Sequence, residues 1–303
     1  MKVFINNPKE NWIVDRFRKE WIQFSLHKNV IHPFFSDLIW IIAPWTWNRI
    51  NTKLLSRKKV ICTIHHIDFE KFDKIESENF KNRDKYVDIY HSISSNTTKQ
   101  LKELTEKKIV EIPFWVNENN FFSITNKESV KDKFNISKSE YLIGSFQRDT
   151  EGSDLISPKL SKGPDLFMKA VLQYQEKYKD LAVVLTGKRR QYIIKELERE
   201  NVKFYYFPMV SLIELNELYN ILDLYIVSSR IEGGPQAIME CAVSRTNIIS
   251  TDVGVASQIL HHESIIKDNE FLNAKPHIEY AFEKVKRFYL NEGIKYFESN
   301  LIN

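Results

Sequence analysis

Short apolar runs alternate with amphipathic segments along almost the whole chain, and this alternation is the strongest constraint on its fold. The runs Lys59–Ile64 (KVICTI) and Leu181–Thr186 (LAVVLT) have the length and β-branched content of buried strands. Residues 12–26 repeat apolar side chains at helical spacing, with charged side chains off that face. Strands separated by helices are typical of βαβ units, so the sequence predicts an α/β fold with parallel sheets.

The same pattern predicts the individual elements. We predict strands at residues 2–6, 38–42, 59–64, 86–91, 108–112, 141–146, 181–186, 202–207, 224–228 and 247–250. We predict helices at residues 12–26, 97–104, 165–178, 191–200, 212–221, 235–243 and 278–289. The polar stretch 117–140 has no sustained period and is the best candidate for a linker. Two open α/β sheets in tandem bind ligands beyond the carboxyl ends of their strands, which predicts an interdomain cleft.

Composition excludes several classes of protein. A chain of 303 residues predicts about two domains, and 43% apolar with 28% charged residues is typical of a globular protein. The net charge of +4 argues against a dedicated nucleic-acid binder, so we expect no nucleic-acid partner. No glycine precedes Gly144, and no P-loop string occurs, which excludes the common dinucleotide fingerprint and the P-loop NTPases.

Cysteine usage and hydropathy favour a cytoplasmic protein. Cys62 and Cys241 lie in apolar stretches and are interpreted as buried free thiols. No C-x-x-C or H-E-x-x-H string indicates a metal site. The most apolar stretch, residues 34–47, contains Asp37 and Pro44 and is too short to span a bilayer.

Residues 224–260 hold the densest group of chemically useful side chains. A buried strand is followed by Glu232, Gly233, Gly234 and Pro235, and then by a helix that carries Glu240. Glycines let a backbone approach a ligand closely, and the free N–H groups of a helix start suit a phosphate. Two carboxylates therefore flank a predicted anion site, although an exposed loop glutamate and a surface helical glutamate would give the same spacing.

The string EGGPQAIMECAVSRTNIISTDVG resembles the Glu-x7-Glu region of family 4 glycosyltransferases, which have the GT-B fold. The matching positions are Glu232, Gly233, Glu240, Ala242, Ile248, Ile249, Thr251 and Gly254. The departures are Gly234, which comes one position early, Cys241, Ser244 and the pair Thr246-Asn247. Residues 207–223 resemble the preceding part of the family pattern. The resemblance implies two Rossmann-like domains, at residues 1–125 completed by about 278–303, and at residues 126–277.

The resemblance also implies a cationic clamp for the donor diphosphate. Arg148, after the first strand of the second domain, and Lys162, in a Lys-Gly-Pro-Asp string, match the two family cations. Two cations neutralise a departing diphosphate effectively. A longer insertion than the family has separates them, which leaves Lys159 as a rival to Lys162. Lys188 would lie near the diphosphate on the same face, or would belong to an exposed helical turn.

The N-terminal half offers fewer matches. The family has a His near the donor at a comparable strand end, which implies His65 here, with His66 as the alternative and a purely structural His as the simpler interpretation. The family's glycine-rich first loop is replaced by residues 6–11 (NNPKEN). Aromatic and basic residues at 45–59 would either contact an anionic membrane or pack inward.

The resemblance implies a GT-B glycosyltransferase that moves a sugar from a nucleotide-diphosphate sugar to an acceptor hydroxyl. The resemblance implies retention of configuration, Glu232 on the sugar hydroxyls, Glu240 on the ribose, and backbone near Phe207–Met209 beside the base. The predicted donor contacts at the helix start are Gly233, Gly234, Pro235, Gln236 and Ala237. We expect no metal or organic cofactor, since cations and the helix end neutralise the leaving group and no Asp-x-Asp motif occurs.

The acceptor is expected, by analogy, to be a glycan or lipid-linked saccharide in cell-surface polysaccharide biosynthesis, with possible peripheral contact at the inner face of the membrane. Two alternatives stay open. One is a catalytically silent protein that binds nucleotide sugars, and the other is a nucleotide-sugar epimerase or a phosphorylase on the same fold.

Overall fold

The computed structural model describes residues 1–10, 13–152 and 154–302. Contacts divide the chain into two compact units, residues 1–115 with 288–303 and residues 116–287. Each unit contains its own parallel sheet. This arrangement confirms the prediction of two Rossmann-like α/β sheets.

The described part of the first unit has a six-stranded parallel sheet in the order β2-β1-β3-β4-β5-β6. Its strands are β1 (Lys2–Ile5), β2 (Lys28–Asn29), β3 (Leu38–Ile41), β4 (Lys59–Ile64), β5 (Ile89–Ser92) and β6 (Lys108–Glu111). The helices before the boundary are α1 (Ile13–Phe24), α2 (Thr52–Leu55), α3 (Lys74–Asp84) and α4 (Ser95–Lys102). Asp73 and Ser94 cap α3 and α4 by accepting backbone N–H bonds, which explains where these helices begin.

Both faces of this sheet are covered by apolar side chains. One face packs Trp40 against Trp21 of α1 and against Phe114 and Trp115, which follow β6. The other face buries Val60, Cys62 and Tyr90 under α3 and α4. Strands buried on both faces read as continuous apolar runs, which is why β3 and β4 stand out in the sequence.

The C-terminal segment departs from the sequence prediction. We predicted one long helix at residues 278–289, but the chain forms α11 (Ile278–Val285), a 3₁₀ turn at Lys286–Phe288 and then α12 (Leu290–Phe297). Tyr289 has an extended backbone, with φ −56° and ψ 151°, and so interrupts the helix. The prediction of an unbroken helix is wrong because the chain passes from one unit to the other at residues 287 and 288. The side chains of α12 fill the core of the first unit beside Trp40 and Trp115.

The described part of the second unit has a five-stranded parallel sheet in the order β11-β10-β7-β8-β9. Its strands are β7 (Tyr141–Ser145), β8 (Leu181–Thr186), β9 (Lys203–Phe207), β10 (Leu224–Val227) and β11 (Ile248–Ser250). Its helices are α5 (Lys127–Lys133), α6 (Pro164–Lys177), α7 (Gln191–Arg199), α8 (Leu212–Ile221), α9 (Gln236–Ser244), α10 (Ala256–Ile259) and the α11 defined above.

Residues 117–140 are an ordered part of this second unit and do not form the linker that their polarity predicted. They include α5, and Phe121, Val130 and Ile136 are buried. Asn216 and Asn220 of α8 accept the N–H groups of Phe122 and Ile124 through their side-chain oxygens. Side-chain amides therefore fix a stretch of backbone that has too few apolar residues to reveal itself by periodicity.

Among the described residues, no helix has both the length and the apolar character needed to cross a membrane.

Candidate functional site

The loop that follows β10 carries the glycines and the first glutamate of the sequence motif. Gly233 and Pro235 are buried, and α9 begins directly after Pro235. Gly254, after β11, has φ +56°, and a Cβ added there would lie 2.6 Å from the carbonyl oxygen of Gly233. Two turns at the carboxyl edge of the sheet are therefore in direct backbone contact, and Gly254 is required for that contact.

Lys162 and Glu232 form an ion pair at this edge. Their side chains are 18% and 14% exposed, so the pair is partly shielded from solvent but still reachable. The two residues are 70 positions apart in sequence and come from the loops that follow β7 and β10. β7 and β10 are neighbours in the sheet, which brings their carboxyl ends together.

The insertion between Arg148 and Lys162 is closed at its base. Thr150 and Pro158 form an antiparallel bridge, and the Lys159 N–H donates to the Asp149 carbonyl over 2.7 Å. The Gln147 side chain donates to the carbonyl of Lys162 over 2.9 Å. The backbone on the two sides of the insertion is therefore adjacent. Arg148 is half-buried and Lys159 lies at the same base.

Gly163 holds the end of the insertion against β10. Its φ is +59°, and a Cβ there would lie 1.8 Å from the Ser228 carbonyl oxygen. The Ser161 carbonyl accepts the N–H groups of Arg230 and Ile231 at 2.9 and 3.0 Å. These contacts fix the backbone on both sides of the Lys162–Glu232 pair.

Asp149 and Arg190 form a buried charge pair that sequence reasoning missed. Arg190 Nε lies 3.2 Å from Asp149 Oδ2, and the side chains are 1% and 3% exposed. Burial raises the pKa of Asp149 to about 6, against the opposing effect of Arg190. Burial also lowers the pKa of Arg190. Lys188, two positions before Arg190, is exposed.

Glu240 is buried in α9 and its Oε2 accepts the Tyr219 hydroxyl over 2.8 Å. Burial is the main cause that raises the pKa of Tyr219 well above its usual value, so the hydroxyl stays protonated and donates. Tyr219 thus fixes the orientation of the carboxylate. Burial likewise raises the pKa of the neighbouring Cys241 thiol, in line with an inert cysteine.

The remaining predicted donor contacts occupy different environments. Gly234, Gln236 and Ala237 are half-buried around the start of α9. The carbonyl of Phe207, at the end of β9, accepts the Thr186 hydroxyl over 2.7 Å. Met209 is 69% exposed two residues later.

His65 lies in the first unit, one residue beyond β4. Its Nε2 is 2.8 Å from the carbonyl oxygen of Ile42, which can only accept, so Nε2 carries the proton. Burial lowers the pKa of His65 to about 4, so the ring is neutral near pH 7. His66 is exposed.

Two other features of the sequence lie near His65: the start of the polar stretch at residues 6–11 and the tryptophans at positions 45 and 47. The Asn6 side chain donates to the Ala43 carbonyl and to Thr46 Oγ1, at 2.9 and 2.8 Å, and so braces the turn after β3. Asn11 lies outside the described residues. Trp47 packs inward and donates to Asn79 Oδ1, whereas Trp45 is 46% exposed and donates to Glu10 Oε1. These contacts give Trp47 a structural role.

Residues 157–300 match the family model described as "Glycosyl transferases group 1". Among solved structures, Anabaena HepE in complex with UDP and glucose is 11% identical, with a TM-score of 0.73 and 99% of both chains covered. Sucrose-phosphate synthase from Thermosynechococcus elongatus is 14% identical, with a TM-score of 0.71, 94% of this chain and 75% of that chain covered. A glycosyltransferase from Rickettsia africae is 19% identical, with a TM-score of 0.63 and coverages of 98% and 84%. No curated protein sequence matches this chain significantly.

These comparisons define the class: the chain has the GT-B fold. The segment that matches the group 1 glycosyl transferase model contains Lys162, Glu232 and Glu240.

Proposed function

We propose that the protein transfers a sugar from a nucleotide-diphosphate sugar to an acceptor hydroxyl with retention of configuration, as family 4 glycosyltransferases do. The observation that carries this proposal is the Lys162–Glu232 pair beside the start of α9, at the carboxyl edge of the sheet. A cation, a carboxylate and a helix start lie together there, which suits a ligand that carries both a diphosphate and sugar hydroxyls.

In this reaction the bond between the sugar C1 and the diphosphate oxygen breaks, and its electron pair leaves with the diphosphate. A bond forms between C1 and the acceptor oxygen, and the proton of the acceptor hydroxyl passes to an oxygen of the departing diphosphate. Negative charge therefore accumulates on the departing diphosphate in the transition state. We assign Lys162, Arg148 and the N–H groups at Gly234–Ala237 to the stabilisation of that charge.

Glu232 and Lys162 would then exchange partners when the donor binds. The diphosphate then contacts Lys162. Glu232 leaves the ammonium group of Lys162 and accepts hydrogen bonds from the sugar hydroxyls. Tyr219 holds Glu240 in α9, and we assign Glu240 to the ribose. We assign the diphosphate contact to Lys162 rather than to Lys159, because Lys162 is the lysine that contacts Glu232.

The neutral ring of His65 suits a hydrogen bond to the substrate. Because Nε2–H is committed to Ile42, Nδ1 is the nitrogen that lacks a proton and accepts. We propose that His65 accepts a hydroxyl of the donor sugar.

UDP-glucose is the first donor to test, since the Anabaena HepE structures contain UDP, glucose and UDP-glucose. For the acceptor we propose a glycan or lipid-linked saccharide at the cytoplasmic face of the membrane, in surface polysaccharide synthesis. The structure of another neighbour, pneumococcal GtfA, contains UDP and GlcNAc, so UDP-GlcNAc is the second donor.

The test is release of nucleotide diphosphate from a panel of nucleotide sugars by the wild type and by Glu232→Gln. Glu217→Gln is the matched control, because Glu217 pairs with Lys133 on the surface of the same unit. We expect slow release from one donor, unchanged in Glu217→Gln and at least about ten-fold slower in Glu232→Gln. Equal release by all three proteins would contradict the role of Glu232.

A further inference from the structure

A second group of ligating side chains lies in the second unit at residues 261–277 and includes none of the residues assigned to the donor. His261 follows α10, Glu263 lies on a 3₁₀ turn at His262–Ser264, and His277 immediately precedes α11. One ligand atom from each of the three residues lies within 4.8 Å of the others. The sequence shows no spacing that reveals this group, because His277 is 14 positions after Glu263.

The three side chains face one another closely. Glu263 Oε2 lies 2.7 Å from His277 Nε2 and 3.5 Å from His261 Nδ1. The rings of His261 and His277 are 4.2 Å apart between centroids. His277 Nε2 is shielded from solvent and, within the described parts of the chain, makes no hydrogen bond of normal geometry. A cation bound by both this shielded ring nitrogen and the carboxylate oxygen 2.7 Å away would satisfy the nitrogen.

The backbone holds the two halves of the group together without help from the ligands. The Lys275 N–H donates to the Glu263 carbonyl, and the Ser264 hydroxyl donates to the Lys275 carbonyl, both over 2.8 Å. The His277 N–H donates to Ser264 Oγ over 3.1 Å, and Ser264 is buried. The ligand-bearing segments are therefore positioned before any ion arrives, which favours binding.

We propose that His261, Glu263 and His277 bind a divalent transition-metal ion of the Zn²⁺ type. Two imidazoles with one carboxylate form a donor set that suits Zn²⁺ and its neighbours, whereas Mg²⁺ and Ca²⁺ prefer sites made wholly of oxygen. The side chains are 26–43% exposed, so the ion is reachable and water completes its coordination.

The bound ion would join the 3₁₀ turn to the start of α11 and close the loop at residues 265–276. Glu279, in the first turn of α11, accepts Arg245 over 2.9 Å, and Arg245 is the C-terminal cap of α9. The metal would therefore stabilise this part of the second unit.

The test is equilibrium dialysis of the full, tag-free chain against Zn²⁺, with Mg²⁺ in parallel and thermal unfolding as a second readout. We expect one Zn²⁺ per chain, a higher unfolding temperature with Zn²⁺ and no change with Mg²⁺. His277→Ala and Glu263→Gln should each weaken Zn²⁺ binding by about ten-fold or more. His32→Ala is the control, since His32 is exposed on an unrelated turn.

Circular dichroism of both variants without metal establishes that they are folded. Absence of stoichiometric Zn²⁺ binding, or equal binding by the wild type and both folded variants, would overturn the proposal. A Co²⁺ absorption spectrum gives an independent check, because binding at a site of low coordination number intensifies the visible d–d bands, and His277→Ala should weaken them.

Discussion

At the scale of single residues, the Lys162–Glu232 pair makes an unusual prediction for nucleotide binding. Glu232 competes with a diphosphate for Lys162, so Glu232→Gln should bind UDP more tightly while it transfers sugar more slowly. Partly exposed pairs contribute up to about 1 kcal/mol, which corresponds to a gain of about two- to five-fold in UDP affinity. Calorimetric titration with UDP measures this, with Glu217→Gln as the control; weaker UDP binding by Glu232→Gln would argue against the exchange of partners.

Two glycines with positive φ test the packing beside that pair. Gly163 has φ +59° and faces the Ser228 carbonyl, whereas Gly152 has φ +50° and a Cβ there meets no described atom within 4 Å. Gly152→Ala should cost only the conformational strain of about 1–2 kcal/mol. Gly163→Ala adds a backbone clash and should cost more than about 3 kcal/mol. Urea unfolding compares the two variants, and equal losses would show that the close contact with Ser228 is unimportant.

At the scale of secondary-structure elements, histidines at the ends of β4 and β5 make stability depend on pH. Burial lowers the pKa of His65 to about 4 and of His91 to about 3. An unfolded histidine takes up its proton near pH 6.5, while these folded rings do not. The contribution of these two neutral histidines to the free energy of unfolding is therefore fully present above about pH 6.5. It is lost as the pH falls toward 4.

Replacing His91 isolates one of these contributions. His91 Nε2 lies 2.7 Å from the Ile112 carbonyl and Nδ1 lies 3.0 Å from Thr63 Oγ1, so a glutamine can keep both a donor and an acceptor. Lowering the pH from 6.5 to 4.5 reduces the free energy of unfolding of both proteins. The reduction should be about 2 kcal/mol smaller for His91→Gln than for the wild type. His32→Gln should follow the wild-type curve. Parallel curves for all three proteins in urea would contradict the buried, uncharged state of His91.

The elements themselves show what sequence patterns reveal. Lys59–Ile64, Leu181–Thr186 and Leu212–Ile221 are found where the sequence predicted them, because each is a continuous apolar or strongly periodic run. Helix α3 has a weak apolar pattern and was missed. The stretch just before α5 is held by side-chain amides of α8, which bond the N–H groups of Phe122 and Ile124. Such elements depend on tertiary contacts that one segment of sequence does not contain.

The candidate site, like the elements, was predictable only where a short stretch of sequence carries the signal. Glu232, Glu240 and Lys162 stand in short motifs next to strand ends, and the fold brings Lys162 and Glu232 together. Asp149, Arg190 and the metal-binding group at residues 261–277 were not, because their partners are brought together only by the folded sheet and its loops. The insertion separates Arg148 from Lys162 in the sequence more than it does in the structure, because a bridge between Thr150 and Pro158 closes its base.

At the scale of the whole molecule, the last residues of the chain complete the core of the first unit. Phe297 of α12 is fully buried, with its ring 4.6 Å from Trp40 and 5.0 Å from His91 between centroids. Phe297→Ala should destabilise the protein by about 3–5 kcal/mol. The adjacent Tyr296 is 51% exposed, so Tyr296→Ala should change stability by less than about 1 kcal/mol. Tryptophan fluorescence during urea unfolding tests this; similar effects of the two substitutions would contradict the packing of α12.

The most direct test of the donor site is a calorimetric titration of UDP into the wild type, Lys162→Met and Lys133→Met. Lys133 also pairs with a glutamate, Glu217, but on the surface of α5. We predict that the wild type and Lys133→Met bind UDP equally. Lys162→Met should bind it at least about ten-fold more weakly, because a charged contact to the diphosphate is lost. No UDP binding by the wild type, or equal binding by all three proteins, would contradict a nucleotide-sugar site at Lys162 and Glu232.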